Sequence, residues 1–159
     1  MKKMTFATAA LFGIGSTAQF TYSDAQARIA ATISAGTYCY QSMLPSLELL
    51  GPAQGFVVTQ VISNPTYDVQ GFIGYLPSDS SIYVAFRGST DINGWYRTLQ
   101  GKLSTYRTYP ECNCQVNASI QLAADSVSQM VITEVKRLEA IFPGHAIKVT
   151  GHSLGAGIA

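Results

Sequence analysis

The feature that most constrains this chain is Gly151-His152-Ser153-Leu154-Gly155, a G-x-S-x-G pentad set between two dissimilar runs. Ala146 to Thr150 alternates apolar and polar residues as a short strand does, and Ala156, Gly157 and Ala159 follow as a helix would begin. A serine on such a strand-to-helix turn is held in a strained backbone conformation with its hydroxyl exposed. Glycines flank it because side chains there would meet neighbouring backbone. The new helix aims unpaired N–H groups and its positive end at a developing oxyanion. Ser153 is therefore a candidate nucleophile, the alternative being an ordinary glycine-rich turn capped by a serine.

The residues ahead of the pentad supply a scaffold for it. Ser23 to Tyr38 reads as a helix capped by Ser23, with Asp24 in its first turn and Gln26 three residues after the cap. Three strand-like runs follow, Phe56 to Ser63, Val69 to Leu76 and Ser81 to Phe86, separated by Asn64-Pro65 and Pro77-Ser78-Asp79, so a meander is expected. Ser119 to Phe142 is the longest helical pattern. Ile120, Ala124, Val127, Val131, Val135, Leu138 and Phe142 recur at three- and four-residue steps and mark one buried face, ended by Pro143-Gly144. Hairpin, helix, then strand predicts an α/β sheet with helices packed on it.

The N-terminus has the pattern of an export signal. Lys2 and Lys3 precede an uncharged apolar run from Met4 to Gly15, and Ser16-Thr17-Ala18 offers small residues for cleavage. The run is shorter than the roughly 20 residues a span needs, so no transmembrane anchor is expected. Residues 1–18 are thus read as a signal peptide, 19–159 as one domain, and the location as secreted. Export would make Asn117-Ala118-Ser119 a usable N-glycosylation sequon. A formal charge of +1 gives no electrostatic case for nucleic acid. The three cysteines are an odd count: Cys112 and Cys114 are so close that a bridge between them would be strained, and Cys39 has no evident partner. Neither they nor the two histidines have metal-ligand spacing, and no metal or cofactor is expected.

Two motifs on separate elements carry a family resemblance. Ile147-Lys148-Val149-Thr150-Gly151-His152-Ser153-Leu154-Gly155-Ala156 resembles the nucleophile segment of the fungal-type class 3 lipases, and Val84-Ala85-Phe86-Arg87-Gly88-Ser89-Thr90 resembles their oxyanion loop. Trp95, shortly after, and the tract from Tyr22 to Cys39 are in the same style, so the likeness covers nearly everything after the signal. Val116 to Ile120 departs from it, lacking the histidine-glycine pair usual ahead of the long helix. The resemblance implies an α/β-hydrolase-type sheet with flanking helices. It makes Ser153 the nucleophile and Ser89 an oxyanion residue, through its N–H and hydroxyl, with the Leu154 N–H as the second donor. Asp91 to Thr98 falls where such lipases keep a lid, with Ile92, Trp95 and Leu99 as its apolar face or, alternatively, as core. Arg87 is read as structural.

In this fold the triad acid and histidine follow the serine in chain order. Six residues follow Ser153, and none is Asp, Glu or His. His152 is expected to point into the scaffold, and His145 to lie at the far end of the sheet. The expectation is a domain truncated after the elbow, inactive as this span alone. The functional reading is a secreted serine ester hydrolase, taking acylglycerol or other ester substrates at a lipid–water interface. The alternative is a catalytically inactive lipase-like binding protein.

Overall fold

A computed structural model of the chain describes residues 22–90 and 101–159. Its centre is a four-stranded mixed sheet. β1 (Val57–Asn64), β2 (Val69–Leu76) and β3 (Ser81–Phe86) run antiparallel as a meander, and β6 (Ala146–Gly151) joins β3 in parallel, giving the order β1-β2-β3-β6. The two meander turns form where the sequence places them. Asn64 Oδ1 accepts from the Thr66 N–H at 3.1 Å, and Asp68 and Ser80 close the turns in the left-handed conformation, at φ 54° and 45°.

Helices cover both faces. On one side α1 (Asp24–Gly36), capped by Ser23, packs Ile33 with Phe56, Phe72, Leu76, Tyr83 and Ala85. On the other, α2 (Ala118–Ile141) packs Ala123, Val127 and Leu138 with Ile62, Val69, Ile73, Ile82, Val84 and Phe86. Alternation along β3 sends Tyr83 and Ala85 to the α1 layer and Ile82, Val84 and Phe86 to the α2 layer, so one strand serves two cores. Burial of each such isoleucine contributes about 1.5–3 kcal/mol. On β1, Val58 and Val61 both pack on the α1 side despite their odd spacing, because the register shifts between Val58 and Gln60.

The strand and helix expectations hold closely, with Ala123 and not Ala124 fully buried on α2. A short hairpin of β4 (Leu103–Thr105) and β5 (Gln115–Asn117) was not anticipated, since three-residue strands carry too little pattern. At its tip Cys112 and Cys114 are bridged. Asn113 between them is left-handed (φ 55°), which reverses the chain and brings the two Cα atoms to 5.2 Å, inside the normal disulfide range. The spacing alone conceals that freedom. Cys39 is a free thiol among the described residues. Among the described residues, no helix is long and apolar enough to cross a membrane.

Candidate active site

Ser153 occupies the turn between β6 and the short helix α3 (Leu154–Ile158), at φ 54° and ψ −120°. A non-glycine residue there stores backbone strain of about 1–3 kcal/mol, held only because the surroundings over-determine it. Those surroundings are glycines at close approach. A Cβ on Gly155 would sit 2.3 Å from the Phe86 carbonyl oxygen and 2.6 Å from that of Arg87, and one on Gly151 would sit 2.3 Å from the Gly155 oxygen. The turn is thus pressed onto the end of β3, with Leu154 and Gly155 buried and Ser153 exposed.

The segment leaving β3 lies against that turn. A Cβ on Gly88 would be 2.9 Å from Ser153 Cβ and 2.8 Å from the His152 oxygen. The loop is fastened from outside by Asp68, which pairs with Arg87 Nη2 at 2.5 Å and accepts from the Thr90 N–H at 3.3 Å, while Arg87 Nε donates to the Gly88 oxygen. Arg87 is accordingly structural, as the sequence suggests. Neither the Ser89 N–H nor the Leu154 N–H has an acceptor among the described residues, and Ser153 Oγ has no hydrogen bond there. Two free donors thus belong to segments that meet at an exposed hydroxyl.

Tyr38 was not singled out from the sequence as part of this site. Its hydroxyl lies 2.7 Å from His152 Nδ1 and accepts from the Gly88 N–H at 3.1 Å. The two rings are tilted, with centroids 5.9 Å apart. The only signal was its position just past the first helix, because its partners lie 50 and 114 residues away. His152 is exposed, with its Nδ1 engaged by the Tyr38 hydroxyl. His145 precedes β6, at the opposite end of the strand from Ser153, and its ring packs on Phe142.

That opposite end carries a second polar cluster. Asp79 accepts from Gln26 Nε2 at 2.6 Å, Tyr83 Oη at 2.6 Å and Lys148 Nζ at 2.7 Å. Burial by itself would raise the Asp79 pKa, but the hydrogen bonds from Lys148, Tyr83, Gln26 and Ser81 outweigh it and hold the group at about 2. Burial and the Asp79 carboxylate together push the Tyr83 phenol up. A groove of about 520 Å³ beside the cluster, lined in part by Tyr22, Ala27, Ala30 and Val149, lies between α1 and β6.

Of the other predicted residues, Asn117 is the N-cap of α2, its Oδ1 accepting from the Ser119 and Ile120 N–H groups. Its amide nitrogen lies 2.4 Å from where a Cβ on Gly101 would stand. Ile92 and Trp95 of the expected lid, and residues 1–18 of the expected signal, lie outside the described residues. Among the described residues, no group of three or more His, Cys, Asp or Glu is placed to hold a metal ion.

Mixed sheet, flanking helices and a serine on a strained strand-to-helix turn define an α/β-hydrolase. The chain superposes on the crystal structure of a triacylglycerol lipase from Penicillium expansum with a TM-score of 0.69 and 27% identity, over 87% of this chain and 53% of that one. The family model described as Lipase (class 3) matches residues 83–159. A secreted alkaline triacylglycerol lipase of Penicillium cyclopium is 30% identical over 113 residues, which are 69% of this chain and 39% of that protein. A lipase of Rhizomucor miehei is 25% identical over 132 residues, 80% of this chain and 36% of that protein. The chain belongs to the class 3 lipase family. It spans well under half the length of these two relatives.

Proposed function

We propose that this chain carries the nucleophile and oxyanion half of a secreted serine ester hydrolase acting on acylglycerols or related carboxylic esters. The observation that carries the reading is the strained, exposed Ser153 at the junction of two segments whose Ser89 and Leu154 N–H groups have no acceptor among the described residues. In this reading Ser153 Oγ attacks the ester carbonyl, and the oxygen that takes up negative charge is met by the Ser89 and Leu154 N–H groups, with the Ser89 hydroxyl beside them. Such preorganised donors are worth about 3–4 kcal/mol each to a tetrahedral transition state. A serine hydroxyl also needs a base to be a good nucleophile at neutral pH. The histidine base and its acid come, on this proposal, from sequence outside this span, a reading supported by the share of the relatives' length that the chain covers.

Secretion is supported by the Lys2-Lys3 start with its apolar run, and by relatives named as secreted. Export through a glycosylating compartment would leave Asn117 as the acceptor, checked by mass spectrometry of the secreted protein. The decisive test uses the full-length protein, treated with a fluorophosphonate and assayed on a tributyrin emulsion. Labelling and hydrolysis that both vanish in Ser153→Ala are the expected result. Hydrolysis that survives Ser153→Ala would sink the proposal.

A further inference from the structure

We propose that Tyr38 is a positioning residue of this site, whose hydroxyl sets the spacing between the oxyanion loop and the serine turn. The inference rests on the serine-hydrolase reading above and adds a residue to it. A phenol oxygen can serve two partners at once, and the Tyr38 hydroxyl does so, accepting from the Gly88 N–H and sharing a hydrogen bond with His152 Nδ1. His152 Nδ1 is thereby engaged with Tyr38 and turned to the scaffold.

The contact points are what give the hydroxyl its leverage. Gly88 immediately precedes Ser89, and His152 stands two residues before Leu154, so one oxygen ties the two segments that supply the free N–H groups. No Cβ at position 88 could coexist with it, since that atom would be 2.5 Å from the Tyr38 oxygen. Tyr38 is itself held from behind. Gln70 Nε2 donates to the carbonyls on either side of it, Thr37 at 2.8 Å and Cys39 at 3.0 Å, and the Gln70 carbonyl accepts from the Arg87 N–H at 2.8 Å. Loop, strand and tyrosine therefore form a closed circuit of hydrogen bonds around the site. An exposed tyrosine (44%) could be replaced by phenylalanine with little effect on packing, which makes its hydroxyl separable from its ring.

Tyr38→Phe in the full-length protein tests this with three readouts. The expected result is a fall of about ten- to hundredfold in the maximal rate of Ser153 phosphonylation by a fluorophosphonate, with the half-saturating probe concentration unchanged, as loss of alignment predicts. Amide exchange at Gly88 should accelerate at least about tenfold as its acceptor is lost. The imidazole ¹⁵N spectrum should show a shift at His152 Nδ1 as it loses its partner. Unchanged phosphonylation, Gly88 exchange and His152 Nδ1 resonance would overturn the proposal, as would a rate loss that merely tracks a lowered melting temperature. Failure of the wild type to label at Ser153 would instead sink the hydrolase reading. Gly88 exchange and the His152 Nδ1 resonance would then still decide whether Tyr38 holds the loop.

Discussion

The two ends of β3 and β6 carry polar clusters of similar chemistry and opposite character. Both tie α1 to the sheet, through Gln26 in its first turn at one end and through Tyr38 just beyond its last turn at the other. At the Asp79 end the carboxylate is 9% exposed and every strong donor is matched, although the adjoining Ser80 closes its turn at φ 45°. At the Ser153 end the serine itself is held at positive φ, two N–H groups have no acceptor among the described residues, and the serine is exposed. The difference separates stability from chemistry along a single pair of strands. A satisfied network makes a clamp, and an unsatisfied one, kept open by glycines, makes a place for an incoming oxyanion.

The largest effect expected is on Ser153. Ser153→Gly should abolish phosphonylation and ester hydrolysis, a loss on the order of 10⁶-fold, the scale seen for a hydrolase nucleophile. It should also raise stability by about 1 kcal/mol, because glycine relieves part of the strain at φ 54° at some entropic cost. Denaturant titration of the two proteins checks the sign, and a destabilised Ser153→Gly would mean that the turn is not strained.

Next in size is Gly155→Ala. Its Cβ would strike the Phe86 and Arg87 carbonyl oxygens, both backbone, so the turn must lift from β3. A cost of about 3 kcal/mol or more is expected, with loss of labelling, so this change erases the distinction between the two ends. A variant that keeps wild-type stability would show that α3 can slide away at little cost.

At the clamp end, Asp79→Asn should lower stability by about 2 kcal/mol while leaving the rate of Ser153 labelling intact. The pH dependence carries a sign. The folded-state pKa of Asp79, about 2, lies below the ordinary 3.8, so its contribution is complete above about pH 4 and is lost as pH falls toward 2. Urea midpoints of the wild type should therefore drop over that window more steeply than those of Asp79→Asn. Parallel curves would remove Asp79 from the account of acid stability.

How far these two ends could be read from the sequence follows from distance along the chain. The elbow is local: strand, pentad and small residues lie within fourteen positions, from Ala146 to Ala159, and the backbone conformation of Ser153 is encoded by its own neighbours. The meander and the amphipathic α2 are legible for the same reason, through a period of two and a period near 3.6. The clamp is not. Gln26, Asp79 and Lys148 meet across 53, 69 and 122 residues, and nothing near any of them signals the others. Gln26 was read as a capping-box residue, yet its amide reaches Asp79 and Lys148. The bulge at Thr59 and the left-handed Asn113 were hidden because single-residue irregularities leave no periodic trace.

The smallest and sharpest contrast is between two tyrosine hydroxyls. Tyr83 is almost wholly buried and gives its proton to Asp79, whereas Tyr38 is half exposed, accepts from the Gly88 N–H and bonds His152. Tyr83→Phe removes one of several donors to Asp79 and should cost about 1–2 kcal/mol of stability, with no change in phosphonylation of Ser153. Tyr38→Phe leaves the N–H of buried Gly88 without its acceptor and should cost about 1 kcal/mol, while it slows phosphonylation. Thermal unfolding and labelling rate, measured on both variants, then form a crossed pair. If the hydroxyls fall on one line relating rate to stability, the two ends are a single cooperative unit. If only Tyr38→Phe slows phosphonylation, α1 is a rigid strut whose two ends do different work.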